Sequence, residues 1–170
     1  MSTCLYEYMN RPQCRSNRYT VEVGTETVNA LFAVGRSIPK ATTYLCHAEA
    51  CSTLRRKLNQ SAFDLTAFSA ARALLWDDVL GDPEFLLMAI EADDMLAGVD
   101  LIDRYNLNAS DAAILTAYLR YARTQPPGSP TCVLVAADQG LLRAAASEGL
   151  RVLNPEAVPA ADIAGLLSTT

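Results

Sequence analysis

"TCVLVAADQGLLRAAASEGLRVLNP", residues 131–155, holds a strand, a helix and a second strand in one short span. "TCVLVAA" is apolar and β-branched, the strongest strand signal in the chain. "QGLLRAAASEG" is an Ala/Leu-rich helix closed by Gly149 as its C-cap. "LRVLNP" then reads as a further strand.

The same alternation extends upstream. Val28, Leu31, Phe32 and Ala33 sit at helical spacing between Glu26 and Gly35, with Thr25 as N-cap and Pro39 as the break. "KATTYLC" is β-prone and leads into a helix over His47–Leu58, with Cys51, Leu54 and Leu58 on its buried side. Phe68, Ala71, Leu75 and Val79 mark another helix, which "GDP" (81–83) ends. "EFLLMAI" reads as a short buried strand, and Ala92, Met95, Val99 and Ile102 carry the next helix. A helix over Ser110–Arg123 runs into the loop "TQPPGSP", and the tail beyond Glu156 is weakly helical. Short apolar strands between amphipathic helices predict a parallel sheet with helices on both faces. The expected architecture is an α/β, three-layer α/β/α sandwich with a central parallel sheet, in one domain over 1–170. Ligands in such folds bind beyond the carboxyl ends of the strands.

Composition narrows the chemistry. With 170 residues and 51% hydrophobic content, the chain can bury a core without metal or disulfide staples. Five cysteines, an odd count with no CxxC pair, read as buried thiols in a reducing compartment. There is no apolar run of roughly 18 residues and no basic-then-apolar leader pattern, so a soluble, cytoplasmic protein with no membrane partner is expected. His47 is the single histidine, which argues against a His-built zinc site or a Ser-His-Asp triad. A net charge of −5, with two Lys beside twelve Arg, argues against nonspecific coating of nucleic acid. Catalysis would have to rest on carboxylates.

Asp138 follows "VLVAA" directly and precedes a helix, which suits an N-cap and a residue at the sheet's carboxyl edge equally. Asp111 shares an azimuth with Leu115, Tyr118 and Ala122, the apolar stripe of its own helix. A carboxylate facing inward needs compensation, although the first turn of a helix also favours negative charge, with Asn108 or Ser110 as the cap nearby. Glu49 shares a face with Ser52, Thr53 and Arg56 and reads as a solvated residue. Asp77, Asp78, Asp93, Asp94, Asp100 and Asp103 read as solvated helix faces.

"SDAAIL", "VAADQGLL" and "GLRVLNP", in that order and spacing, resemble the C-terminal half of a PIN domain, the metal-dependent ribonuclease fold of VapC-type toxins. "TTYLCHAEACSTL" resembles the earlier segment of that family that ends in its catalytic Glu. The resemblance implies Glu49, Asp111 and Asp138 as catalytic and metal-binding residues for Mg²⁺ or Mn²⁺. Hard cations of this kind take oxygen ligands, polarise a phosphodiester and remove the need for histidine. It implies a metal-dependent endoribonuclease, the toxin of a type II toxin–antitoxin pair, with RNA as substrate and a cognate antitoxin and a homodimer as partners. Where the family carries a hydroxyl residue two places before its last Asp, this chain has Ala136. A catalytically inactive or truncated PIN-like module that binds RNA or a protein is the alternative. A phosphotransferase would want a DxD or glycine-rich loop after an early strand, and neither is present.

The family opens with an apolar strand ending in Asp, followed by Ser or Thr, a small residue, Leu and aromatics. "STCLYEYMNRP" fits that pattern from Ser2 onward, which puts Met1 in the Asp position and leaves the first strand missing. The resemblance thus implies an N-terminus shortened by a misassigned start or by deletion, and a 170-residue form that is weak or inactive. In-frame codons upstream of Met1 are expected to encode about four to six mostly apolar residues ending in Asp, a strand-length segment. Sequencing that DNA checks it, and an in-frame stop next to Met1 would exclude a misassigned start.

Overall fold

The computed structural model describes residues 5–6, 19, 23–34, 39–126 and 132–168. The elements are β1 (Leu5–Tyr6), α1 (Thr25–Val34), β2 (Lys40–Thr43), α2 (Tyr44–Asn59), α3 (Leu65–Val79) and β3 (Phe85–Met88). They continue as α4 (Ala92–Tyr105), α5 (Ala109–Thr124), β4 (Val133–Val135), α6 (Gln139–Ser147), β5 (Arg151–Leu153) and α7 (Ile163–Ser168). The class is mixed α/β. β2 pairs with β3 and β4 with β5, both parallel, with Lys40 opposite Phe85 and Val133 opposite Arg151. The two-residue β1 lies between these pairs, Leu5 facing Lys40 on one side and Val133 on the other. The strand order is therefore β3-β2-β1-β4-β5.

One expectation changes here. The sequence reading leaves the first strand missing, whereas Leu5–Tyr6 form a short strand between β2 and β4. An open slot would leave two strands with unpaired ladder groups, so the first β-prone residues at hand take it.

Alternation along β4 sends its side chains to two cores. Val133 and Val135 cluster with Leu31 of α1, Leu153 of β5 and Ile163 of α7. Leu134 and Ala136 join the larger core with Leu54, Leu75, Ile114, Tyr118 and Leu141. α1 is tied down further by Thr27, whose hydroxyl donates to the Val158 carbonyl at 2.7 Å. Cys46, Cys51 and Cys132 are thiols, two of them buried, as expected. Among the described residues, no helix is long and apolar enough to cross a membrane.

Local chemistry sets the helix starts. α2 begins at Tyr44, ahead of the expected His47, because Thr43 ends β2 and its side chain accepts from the Cys46 N–H at 3.1 Å. Its buried side is Cys46, Ala50, Thr53 and Leu54, while Cys51 and Leu58 are only half-buried. α3 buries Ala71, Leu75 and Val79 as the spacing predicts. β3 differs from the buried strand expected of "EFLLMAI". It lies at the edge of the sheet, and Leu86 is exposed.

The largest correction concerns α4. Of the expected stripe, Ala92, Met95 and Val99 face solvent and Ile102 is half-buried against the core, while the fully buried positions are Asp94, Gly98 and Leu101. A Cβ at Gly98 would stand 3.2 Å from the Ala112 carbonyl carbon and 3.3 Å from the Ala113 nitrogen. The two helix backbones therefore meet closely, and only the glycine side of α4 can face α5. Asp94 is also the one expected solvated carboxylate that is fully inside, at 2% exposure. It caps α4 by accepting from the Glu91 N–H at 2.9 Å. Arg120 of α5 grips the same carboxylate through Nε at 2.9 Å and Nη2 at 2.8 Å, and reaches the Ala89 carbonyl at 3.0 Å.

Burial alone would raise the pKa of Asp94. The Arg120 and Glu91 hydrogen bonds and the Arg120 charge outweigh it and hold the carboxyl below its ordinary range. A carboxyl depressed in the folded state contributes stability that is complete above its unfolded pKa and is lost as pH falls through the folded value. Arg120→Ala is expected to cost about 2 kcal/mol at pH 7, within the range for charged hydrogen bonds to a buried partner. Urea denaturation from pH 7 to pH 2 should show this gap closing below about pH 4. A gap that stays constant across that range would mean that the pair does not titrate as described.

Candidate functional site

Asp111 occupies the first turn of α5 and is 4% exposed, so both sequence readings of it hold together. Asn108 is the N-cap, and its side chain works in two directions. Its Oδ1 accepts from the Asp111 N–H at 2.9 Å, and its Nδ2 donates to Asp111 Oδ2 at 2.7 Å. The carboxylate is thereby held in one orientation, with Oδ1 also buried. Seven residues further on, the Tyr118 hydroxyl meets Cys46 Sγ of α2 at 3.8 Å. That contact fixes α5 against the first turn of α2.

Glu49 is not the solvated residue that its neighbours suggested. It is half-buried, and its Oε2 is fully buried. The cause is the face that α2 turns to the core. Cys46, Ala50 and Thr53 form the inward row, and Glu49 lies beside it. Thr53 donates to the Glu49 carbonyl at 3.0 Å and accepts from Arg56 Nη2 at 3.0 Å.

Asp138 follows β4 and is the N-cap of α6, accepting from the Leu141 N–H at 2.9 Å. Gly140 leaves room for this carboxylate, since a Cβ there would lie 3.0 Å from Asp138 Oδ1.

The strand order reverses between β1 and β4, which in open parallel sheets is where the carboxyl ends splay and leave a crevice. Asp138 lies just past the carboxyl end of β4, and α2, with Glu49, leaves the carboxyl end of β2 directly. α5, with Asp111, packs against α6 and touches α2. Among the described residues, no three His, Cys, Asp or Glu side chains form a group that could hold a metal ion. Glu49, Asp111 and Asp138 thus stand on neighbouring elements without forming a closed three-ligand cage. Their donors are nonetheless of the right kind for a hard divalent cation, which typically takes one or two carboxylates and keeps several waters.

Two clefts lie elsewhere. One, of about 590 Å³, is lined by Lys40, Asp77, Asp78 and Asp82, and the buried Lys40 pairs with Asp82 at 3.5 Å. The other, of about 470 Å³, lies beside β3 and is lined by Tyr44, Leu80, Pro83 and Leu86. Neither includes a predicted site residue. His47 is held below its ordinary pKa by burial and by the Arg72 charge, so it is neutral at pH 7.

No family model and no curated protein matches the sequence.

Two residues with a part in this region were not singled out as such from sequence. Asn108 was readable as a cap three positions before Asp111, but its bond to the carboxylate was not. Gly140 carried no signal until its contact with Asp138 was visible. Asp138→Ala is expected to cost about 1 kcal/mol through loss of the cap, whereas Asp138→Asn should retain it. Thermal denaturation of both variants separates the capping role of this residue from any role of its charge.

Proposed function

We propose that the protein is a metal-dependent endoribonuclease of the PIN type, built on a three-layer α/β/α sandwich with a central parallel sheet. Glu49, Asp111 and Asp138 would hold Mg²⁺ or Mn²⁺. The observation that carries this reading is the burial of Glu49 Oε2 and Asp111 Oδ1 on two helices that touch. Carboxylate oxygens held inside in this way are hard donors of the kind that a divalent cation takes. The strand order and the place of Asp138 beyond β4 support the same reading.

When bound, such an ion would supply Lewis-acid polarisation of an RNA phosphodiester. The chain's own residues prepare for that. Asn108 fixes the Asp111 carboxylate in advance, and Gly140 keeps the surroundings of Asp138 open. A toxin role, with a cognate antitoxin and a homodimer as partners, belongs to the same proposal. A binding module without catalysis is the second reading, favoured by Ala136, which offers no hydroxyl near Asp138.

The test is Mn²⁺ binding, followed by the loss of free-ion paramagnetic signal, together with cleavage of single-stranded RNA with and without EDTA. Asp111→Asn changes charge with almost no change in volume. It is expected to weaken Mn²⁺ binding at least about tenfold and to abolish cleavage, as loss of one ligand misplaces the reacting groups. If Asp111→Asn cleaved as fast as its parent, the carboxylate–metal mechanism would be wrong. A parent that does not bind Mn²⁺ would hand the protein to the binding-module reading.

A further inference from the structure

We infer that the outward face of α4 is a docking surface for a basic, amphipathic helical segment of a partner protein. At about 100° per residue, Ala92, Leu96, Val99 and Asp103 lie opposite Asp94, Gly98, Leu101 and Tyr105. The inward set is fixed twice, by the Gly98 contact with the α5 backbone and by the Asp94–Arg120 pair. α4 therefore cannot roll to bury its other side. That other side is apolar where a solvated helix would be polar: Met95 is 52% exposed, Leu96 72% and Val99 52%. Three large side chains in two consecutive turns make a contiguous ridge, the pattern that a partner helix reads as i, i+3 and i+4 anchors.

Charge selects the occupant. Glu91, Asp93, Asp100 and Asp103 are exposed around the ridge. The cations nearest in sequence and packing are already engaged, Arg104 by Asp100 and Glu148 and Arg120 by Asp94. A second copy of this chain would bring carboxylates against carboxylates. Antiparallel packing about Leu96 and Val99 sets Asp93 near Asp103 of the other copy, and parallel packing stacks Asp100 on Asp100. Such like-charge contacts suppress association. A partner helix with Leu-type anchors flanked by Lys or Arg satisfies both the ridge and its rim. This surface does not depend on the nuclease reading, because no carboxylate of that site takes part.

The probe is an 18-residue synthetic helix of Leu and Lys with Leu at i, i+3, i+4 and i+7, set against a Leu/Glu peptide of identical pattern. Fluorescence anisotropy should show the Lys peptide binding at least about tenfold more tightly, with binding that weakens as salt rises. Hydrogen exchange should slow across Ala92–Tyr105. Leu96→Ser is expected to weaken binding at least about tenfold while leaving the melting temperature near that of the parent, since the side chain is at the surface. Asp93→Asn with Asp103→Asn should flatten the salt dependence. Equal binding of the two peptides, unchanged binding by Leu96→Ser, or protection confined to other elements would each overturn the proposal. So would a homodimer in sedimentation that Leu96→Ser dissociates, which would give the face to a second copy.

Discussion

β4 is buried from Cys132 to Ala137, and a strand closed on both faces leaves the chain few options. Every side chain on it must meet an apolar partner, so odd and even positions recruit separate layers. Val133 and Val135 require α1, β5 and α7 on one side, and Leu134 and Ala136 require α5 and α6 on the other. Its backbone must also be paired along both edges. That need explains why a two-residue strand at Leu5–Tyr6 suffices to link β2 to β4.

The same demand for cover makes α5 the most deeply buried helix, with Ala112, Ile114, Leu115, Ala117 and Tyr118 all inside. A helix surrounded in this way can admit a neighbour only where side chains are small. Gly98 opposite Ala112 and Ala113 supplies that place and sets the rotation of α4. The rotation in turn brings Asp94 inside, where the bidentate Arg120 grip and the Glu91 N–H compensate the lost hydration. One close backbone approach thus decides both an internal ion pair and an exposed apolar ridge.

These dependencies explain what the sequence disclosed. The β4–α6–β5 unit was legible because its signals are local: a β-branched run, a capping Asp138 and Gly149 at φ +89. The α3 stripe was legible because Ala71, Leu75 and Val79 follow each other at four-residue spacing and are the positions that the core claims, although Leu65 and Trp76 of the same helix are exposed. α4 was not, because it carries two faces that could be buried, and periodicity records a stripe without saying which neighbour claims it. The apolar stripe is the more hydrophobic choice, yet the small-residue face wins because α5 leaves no room for anything larger. Glu49 was misread for a related reason. The face of α2 that packs on the core is the row Cys46, Ala50, Thr53 and Leu54, which runs beside Glu49, and periodicity through Cys51, Leu54 and Leu58 pointed to a different row.

The candidate carboxylates show how a structural role and a chemical one can share a residue. Capping of α6 occupies one acceptor direction of Asp138, and the Asn108 amide occupies one of Asp111. An ionised carboxylate offers about four such directions over its two oxygens. A cap therefore does not compete with coordination. It removes the rotational freedom that the side chain would otherwise lose on binding, so under the proposed metal role the geometry would be prepared in advance. What separates the two roles is charge. Asn preserves the cap and the volume, so a property that Asn fails to support must come from the carboxylate itself. At Asp111 the contrast is sharpest. Its orientation comes from Asn108 and its burial from the α5 packing. Neither requires a negative charge, which leaves the favourable placement of a carboxylate at the start of α5 as the contribution to stability that Asn would lose.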